Sequence, residues 1–285
     1  MKILVTGENG QVAQALKGQN SSNVSLVVLG RPELDISNKA SIEKAIDAHK
    51  PDCVINPAAY TAVDKAETEI AQAFLVNRDG ARYVAEVTAA HNIPLIHIST
   101  DYVFNGASKT PYKEDDQVGA VNIYGLSKLQ GEWAVHDANP NHVILRTAWV
   151  YSRYGNNFLN TMLRLAQSHD QLRIVADQWG TPTSADFIAT SAITIAQKIS
   201  KGECAENWRG IFNLVADGYT NWADFAAEIF ASKHNQTGKI PNITAIPASE
   251  YKTAAKRPQY SKLDNSKVKS VFDLPIAPWQ DYLTR

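Results

Sequence analysis

The sequence predicts an α/β fold, a Rossmann-type doubly wound parallel sheet carrying a smaller C-terminal α/β lobe for substrate. Three observations predict it. Short β-branched runs alternate with helical patterns through the first half of the 285 residues. A two-glycine turn, Gly7-Glu8-Asn9-Gly10, follows the first of those runs directly. After residue 150 the alternation loosens without breaking. Short apolar strands separated by helices build βαβ units, whose parallel strands are covered on both faces.

The elements follow in order. Residues 3–5 read as a strand and 10–17 as the helix it feeds; 25–29 and 40–49 repeat the pair. Residues 53–55 form a third strand, 71–91 a long helical pattern, 95–98 a fourth strand, 123–135 a helix and 143–145 a fifth strand. Beyond these, 158–168, 185–198 and 222–233 have helical spacing, while 174–175 and 211–215 read as strands. The polar stretch 234–242, with Gly238 and Pro241, reads as a connection. A dinucleotide-binding domain is therefore expected over residues 1–150, with later segments returning to it, and mainly a substrate-binding lobe over 151–285.

Composition narrows the functional classes. Apolar residues make up 44% of the chain, enough for a sizeable core, and the formal net charge of −1 provides no global field for nucleic acid or an anionic membrane. Cys53 and Cys204 are the only cysteines, which fits a reducing compartment better than a disulfide scaffold. The first apolar run is too short for a signal sequence, and no stretch approaches the roughly 20 apolar residues of a membrane span. A cytoplasmic protein is expected. None of the seven histidines has metal-ligand spacing, and no Ser/His/Asp or Cys/His arrangement stands out.

Residues 7–13 spell Gly-x-x-Gly-x-x-Ala between a strand and a helix. Gly7 permits the tight turn, Gly10 lets backbone amides approach a pyrophosphate, and Ala13 allows close helix–strand packing. The helix start favours phosphate charge, so Asn9, Gln11 and Val12 join the candidate cofactor contacts. Arg31 stands just past the second strand, where an acidic residue would grip an adenosine ribose diol. A guanidinium there would pair with a 2′-phosphate, so NADP is expected as the preferred cofactor and NAD as an accepted one. The bland alternative makes Arg31 a solvated loop cation. Asp35 and Ile36 lie near the expected adenine edge.

Tyr124-Gly-Leu-Ser-Lys128 places a phenol and an ammonium four residues apart, on one helix face. Ketone reduction requires a proton for the oxygen, and a phenol of pKa about 10 gives it up more readily beside a Lys cation. Alone, the spacing also occurs on many solvent-facing helices. Ser99-Thr100-Asp101 ends the fourth strand, at the carboxyl edge where open parallel sheets bind ligands, and a hydroxyl there can bond a developing oxyanion.

These segments resemble the extended short-chain dehydrogenase/reductases and, within them, the dTDP-4-dehydrorhamnose reductases. The resemblance runs over nearly the whole chain. It is carried by VTGENGQVAQAL, residues 34–36, INPAAYTAVDKAE, STDYVFNG, NIYGLSKLQGE, LRTAWVYS, NNFL, DQWGTPT and KRPQYSKLDNSK, of which STDYVFNG and DQWGTPT are the most specific. It implies reduction of the 4-keto group of a dTDP-linked 4-keto-6-deoxy sugar. It implies that Thr100 polarises the ketone, Tyr124 donates the proton and Lys128 partners it. Asp101, Tyr102 and Trp149 would line the sugar pocket, Arg257 would meet the nucleotide diphosphate, and Ala58, Ala59, Tyr60 and Asn77 would border the cofactor.

The chain departs from the family pattern in places. Ala13 replaces a usual glycine, and Pro57 removes a backbone donor near the cofactor. Some relatives form magnesium-bridged dimers; Asp186 matches one such position, but Gln14 and Phe187 stand at others, so no metal is expected while a homodimer stays in view. Asp101 has the alternative of a turn residue and Trp149 that of a core aromatic. Two functional alternatives stay open: a reductase giving another 6-deoxy-hexose stereoisomer, and a regulatory subunit that binds NADP without turnover.

Overall fold

A computed structural model of the chain describes residues 1–19, 21–204, 207–237 and 240–283. Five strands in the first half, β1 (Lys2–Val5), β2 (Ser25–Val28), β3 (Cys53–Asn56), β4 (Leu95–Thr100) and β5 (His142–Thr147), alternate with helices. The helices are α1 (Gln11–Lys17), α2 (Lys39–His49), the short α3 (Val63–Ala66) and α4 (Ile70–Phe74), α5 (Ala81–Ala90) and α6 (Ile123–Ala138). The sheet order is Gly210–Asn213, β5, β4, β3, β1, β2, and every pairing is parallel. Its edge strand, Gly210–Asn213, comes from beyond residue 150 and begins one residue before the expected 211–215.

Period-two alternation explains the two faces. Ile3, Val5, Ile55, Ile96 and Leu145 enter one core with α1 and with Ile188 and Ala192 of α8, which runs Ala185–Lys201 after α7 (Phe158–Ser168). Leu4, Val54, Leu95 and Ile144 enter the other, against α2 and α5. Both faces being covered, β3, β4 and β5 are buried along their whole length. Ala13 is fully buried in the first core, so the small residue at the third position of the glycine motif serves close packing.

The helical pattern expected over 71–91 divides. Between α4 and α5 the chain widens into a π-type segment, Leu75–Gly80. The wider turn aims Asn77 inward, where it is 1% exposed.

The C-terminal half holds a third core of Leu159, Met162, Ile174, Phe225 and Trp279, with helix α9 (Trp222–Thr237) running over it. Its strand Gln171–Val175 pairs in parallel with Asn242–Ile246, a strand that was not expected and starts on the last residue of the 234–242 stretch. α9 continues to Thr237 with a non-helical Lys233, and residues 238 and 239 of the expected connection lie outside the described residues. The short helices Ser266–Phe272 and Trp279–Leu283 were not expected.

Candidate active site

Chain order reverses between β1 and β3, so the loops after these strands part and leave a crevice at their carboxyl ends. A cleft of about 720 Å³ occupies that place. Its walls include Gly7, Asn9, Gly10, Gln11 and Val12 after β1, Arg31, Asp35 and Ile36 after β2, and Pro57, Ala58, Ala59 and Tyr60 after β3. Thr100, Asp101 and Tyr102 close it from β4, Tyr124 and Lys128 from α6, and Trp149 from beyond β5. The elements thus gather in one crevice residues that the sequence spreads over more than 140 positions.

The glycine turn has the form a dinucleotide needs. Gly7 has φ +70°, and a Cβ there would stand 2.9 Å from the Ala58 Cα. Gly10 caps α1 without a side-chain hydrogen bond, so the first helical amides face the cleft uncovered. Arg31 is exposed at the far end. Asp35 spends one carboxylate oxygen on the Ser37 amide and hydroxyl, holding its own turn. Turn, cation and cleft fit a dinucleotide.

Close packing around α6 sets the reacting groups. Asn122 caps the helix, accepting from the Gly125 amide at 2.7 Å, and Glu67 accepts from the Ile123 amide at 2.9 Å. A Cβ on Gly125 would lie 2.2 Å from the Tyr102 carbonyl oxygen, and one on Gly131 would lie 2.1 Å from the Asn77 carbonyl oxygen. Only hydrogens at both positions allow α6 to sit this close. The Tyr102 and Tyr124 rings meet edge to face with centroids 5.6 Å apart.

The electrostatics differ from expectation at one point. Burial pushes the Tyr124 phenol up to about 12, with a Thr100 hydrogen bond acting against the rise and the Asp101 charge adding to it. Lys128 does not counter this. Its Nζ donates to the Ile98 carbonyl at 2.7 Å and lies 3.4 Å from His97 Nε2. Burial brings Lys128 down to about 8. In this structure burial outweighs the phenolate stabilisation expected from the neighbouring lysine. Asp101, 2% exposed, accepts from the Thr100 hydroxyl at 3.0 Å, and burial raises it to about 7.

Two expected contacts are placed elsewhere. Asn77 does not line the cleft: its Oδ1 accepts from the Tyr60 amide at 2.8 Å, and its Nδ2 donates to the Tyr60 carbonyl and the Ser127 hydroxyl. It holds the loop after β3 against α6, with both of its side-chain polar atoms engaged there. Arg257 also stands outside the cleft walls, with its guanidinium bound to both Asp64 oxygens at 3.1 and 2.8 Å. Asp64, in the first turn of α3, is that arginine's partner.

Among the cleft residues that went unrecognised, one is aromatic. Trp222, at the start of α9, stacks on Trp149 with ring centroids 3.5 Å apart and planes 6° from parallel. Trp149 itself has φ +46°, and its indole fills the space left by the absent side chain of Gly180. The specific DQWGTPT motif hinted at this glycine; nothing local marked Trp222.

Fold and cleft together define a class, the nicotinamide-dinucleotide oxidoreductases built on an extended Rossmann sheet with a Thr/Tyr/Lys constellation. Residues 1–285 match the family described as RmlD substrate binding domain. A dTDP-4-dehydrorhamnose reductase of Sinorhizobium fredii is 47% identical over 285 residues, covering 100% of this chain and 96% of the relative. Among solved structures, a dTDP-4-dehydrorhamnose reductase of Clostridium acetobutylicum superposes with a TM-score of 0.90 at 37% identity, covering 100% of this chain and 97% of the other. That of Bacillus anthracis, in complex with NADP, gives 0.91 at 31% identity, covering 99% and 96%. The chain belongs to the dTDP-4-dehydrorhamnose reductase family.

Proposed function

We propose that the chain reduces the 4-keto group of dTDP-4-dehydro-6-deoxy-L-mannose to dTDP-L-rhamnose, using NADPH in preference to NADH. The observation that carries the proposal is that Tyr124 and Thr100 line the same cleft that also holds the glycine turn and Arg31. A bound nicotinamide ring supplies the hydride. The protein's share is to hold the carbonyl oxygen and protonate it. A phenol held at about 12 remains protonated at neutral pH, yet is more acidic than the alcohol being formed, so transfer from Tyr124 runs downhill. The Thr100 hydroxyl, which donates to Asp101 in the ligand-free cleft, turns to the developing oxyanion, and Lys128 sits one helical turn along from Tyr124 to meet the cofactor ribose.

Gly7, Asn9, Gly10, Gln11 and Val12, with Ala58, Ala59 and Tyr60, are assigned to the cofactor, as are Arg31, Asp35 and Ile36 at its adenosine end. Asp101, Tyr102 and Trp149 are assigned to the sugar. The division into a dinucleotide-binding part up to residue 150 and a mainly substrate-binding remainder goes with the proposal; the strand Gly210–Asn213 and helix α8 belong to the first part by packing. So do a homodimer and a cytoplasmic setting. No helix among the described residues is long and apolar enough to cross a membrane. The half-exposed Trp133, in a groove with Arg78, Arg82 and Asp137, supports a self-contact that light scattering can test.

The decisive experiment follows NADPH absorbance with the dTDP-4-keto-6-deoxy sugar and identifies the product by NMR. Decay with a rhamno product is expected. A talo product would reassign the stereochemistry, and tight NADP binding without decay would favour a regulatory subunit.

A further inference from the structure

The Thr100 hydroxyl has one proton and two claims on it. In the ligand-free cleft it donates to Asp101 Oδ1 at 3.0 Å, while its oxygen accepts from the Tyr102 amide at 3.2 Å. In the reduction the same proton has to face the substrate oxygen, and Thr100 then leaves Asp101 behind. That carboxyl is 2% exposed, and its Oδ2 is buried without a hydrogen bond among the described residues. None of the ion pairs among those residues includes it. An ionised carboxylate stripped of the Thr100 donor in such a place is costly, and its charge would oppose the oxyanion as that forms. A proton on Asp101 removes both difficulties. A hydroxyl oxygen has two lone pairs. The Tyr102 amide uses one, and a protonated Asp101 can donate to the other, which frees the Thr100 proton for the cleft.

We propose that Asp101 is a positioning residue of the reduction, a neutral acid that donates to Thr100 and so turns the Thr100 hydroxyl towards the ketone oxygen. The proposal rests on the reading that Thr100 serves the reduction. Asp101 keeps its proton throughout; the proton that reaches the product is that of Tyr124. The surroundings agree. Burial raises Asp101 to about 7, against the Ser261 and Thr100 hydroxyls and the amides of its own turn. The titratable groups that act with it are Tyr102, next in the chain, and Tyr124 on α6, both phenols that burial drives upward. The cations of this region are engaged elsewhere. Arg257, which acts on Tyr102, holds Asp64, and the Lys128 ammonium is directed at the Ile98 carbonyl. The neutral acid prevails below about pH 7 and is lost as pH rises through that value.

The test compares the full chain with Asp101→Asn, whose side-chain amide can donate at every pH. Infrared difference spectra between the two at pH 6 should show the carbonyl band of a protonated carboxyl in the parent, fading by pH 8. A carboxylate already present at pH 6 overturns the proposal. Turnover supplies the second readout. Between pH 6 and pH 8 the kcat/KM of the parent should fall by about tenfold or more, and that of Asp101→Asn by no more than about threefold, whatever its absolute rate. Profiles that fall together overturn the role in the reduction. Asp101→Leu keeps the shape and neither donates nor accepts. Its turnover at pH 6 is expected about tenfold below that of Asp101→Asn; equal turnover removes the donation to Thr100. Failure of the reductase reading itself shows as no turnover in the parent chain, with the infrared band still reporting whether Asp101 holds a proton.

Discussion

In the proposed reduction Tyr124 combines two properties at one atom: it keeps its proton at neutral pH, and it hands it to the substrate oxygen. Tyr124→Phe deletes that oxygen alone. Turnover is expected to fall by about two to four orders of magnitude, while the NADPH dissociation constant from fluorescence titration stays within a few-fold; turnover within tenfold of the parent would remove Tyr124 from the chemistry. Arg31 is exposed and, in the proposed reading, meets only the cofactor's outer end. A charge-assisted contact to a 2′-phosphate is worth about 1.5–3 kcal/mol, so Arg31→Ala should weaken NADPH binding by about tenfold or more and leave NADH nearly unchanged. Equal losses for the two cofactors would reject the phosphate contact. At this scale the sequence showed the Tyr/Lys spacing and the strand-end hydroxyl, since both follow from one helix and one strand. It did not show what Lys128 touches. His97 lies 31 residues away on β4, and only packing brings the two together.

Among the elements, α6 matters most, and its glycines explain its place. Alanine is the better helix former by about 1 kcal/mol, so propensity alone would make Gly131→Ala stabilising. Sterics decide against it. The added Cβ would stand 2.1 Å from a backbone carbonyl oxygen in the π-type segment, and backbone cannot swing aside as a side chain can. A net loss of about 1–3 kcal/mol is expected, read by urea denaturation, with reduced turnover because the same segment anchors Tyr60 through Asn77. Unchanged or raised stability would show that α6 has slack. The division of the 71–91 pattern is instructive here. Its apolar spacing is continuous, and a π-type turn leaves almost no trace in such a pattern. The tertiary demand that Asn77 reach Tyr60 and Ser127 is what widens the turn.

For the molecule as a whole, the buried carboxyl of Asp101 sets a pH dependence. Its folded pKa of about 7 lies above the ordinary 3.8, so the native chain binds the extra proton more tightly than the unfolded chain. The contribution to stability is full below the unfolded value and is lost as pH rises towards 7, at a slope of about 1.4 kcal/mol per pH unit. Asp101→Asn removes the titration. The stability difference between variant and parent should therefore grow in the variant's favour from about pH 4 to about pH 7 and then level off. Chemical denaturation at a series of pH values measures this, and parallel curves would show that Asp101 is not buried as a carboxylic acid.

Alternating strands and helices, a glycine turn on the first strand, and a phenol four residues ahead of an ammonium were determined by the sequence itself. Each rests on backbone geometry within a few residues, so each leaves a local pattern. Tertiary structure alone decided that Gly210–Asn213 completes the sheet, that Trp222 stacks on Trp149, and that Arg257 closes on Asp64 instead of standing in the cleft. Those partners lie 67, 73 and 193 residues apart when measured from Val143 to Gly210, Trp149 to Trp222 and Asp64 to Arg257. At such separations, no local preference selects one partner over another; shape, burial and charge in the assembled molecule do.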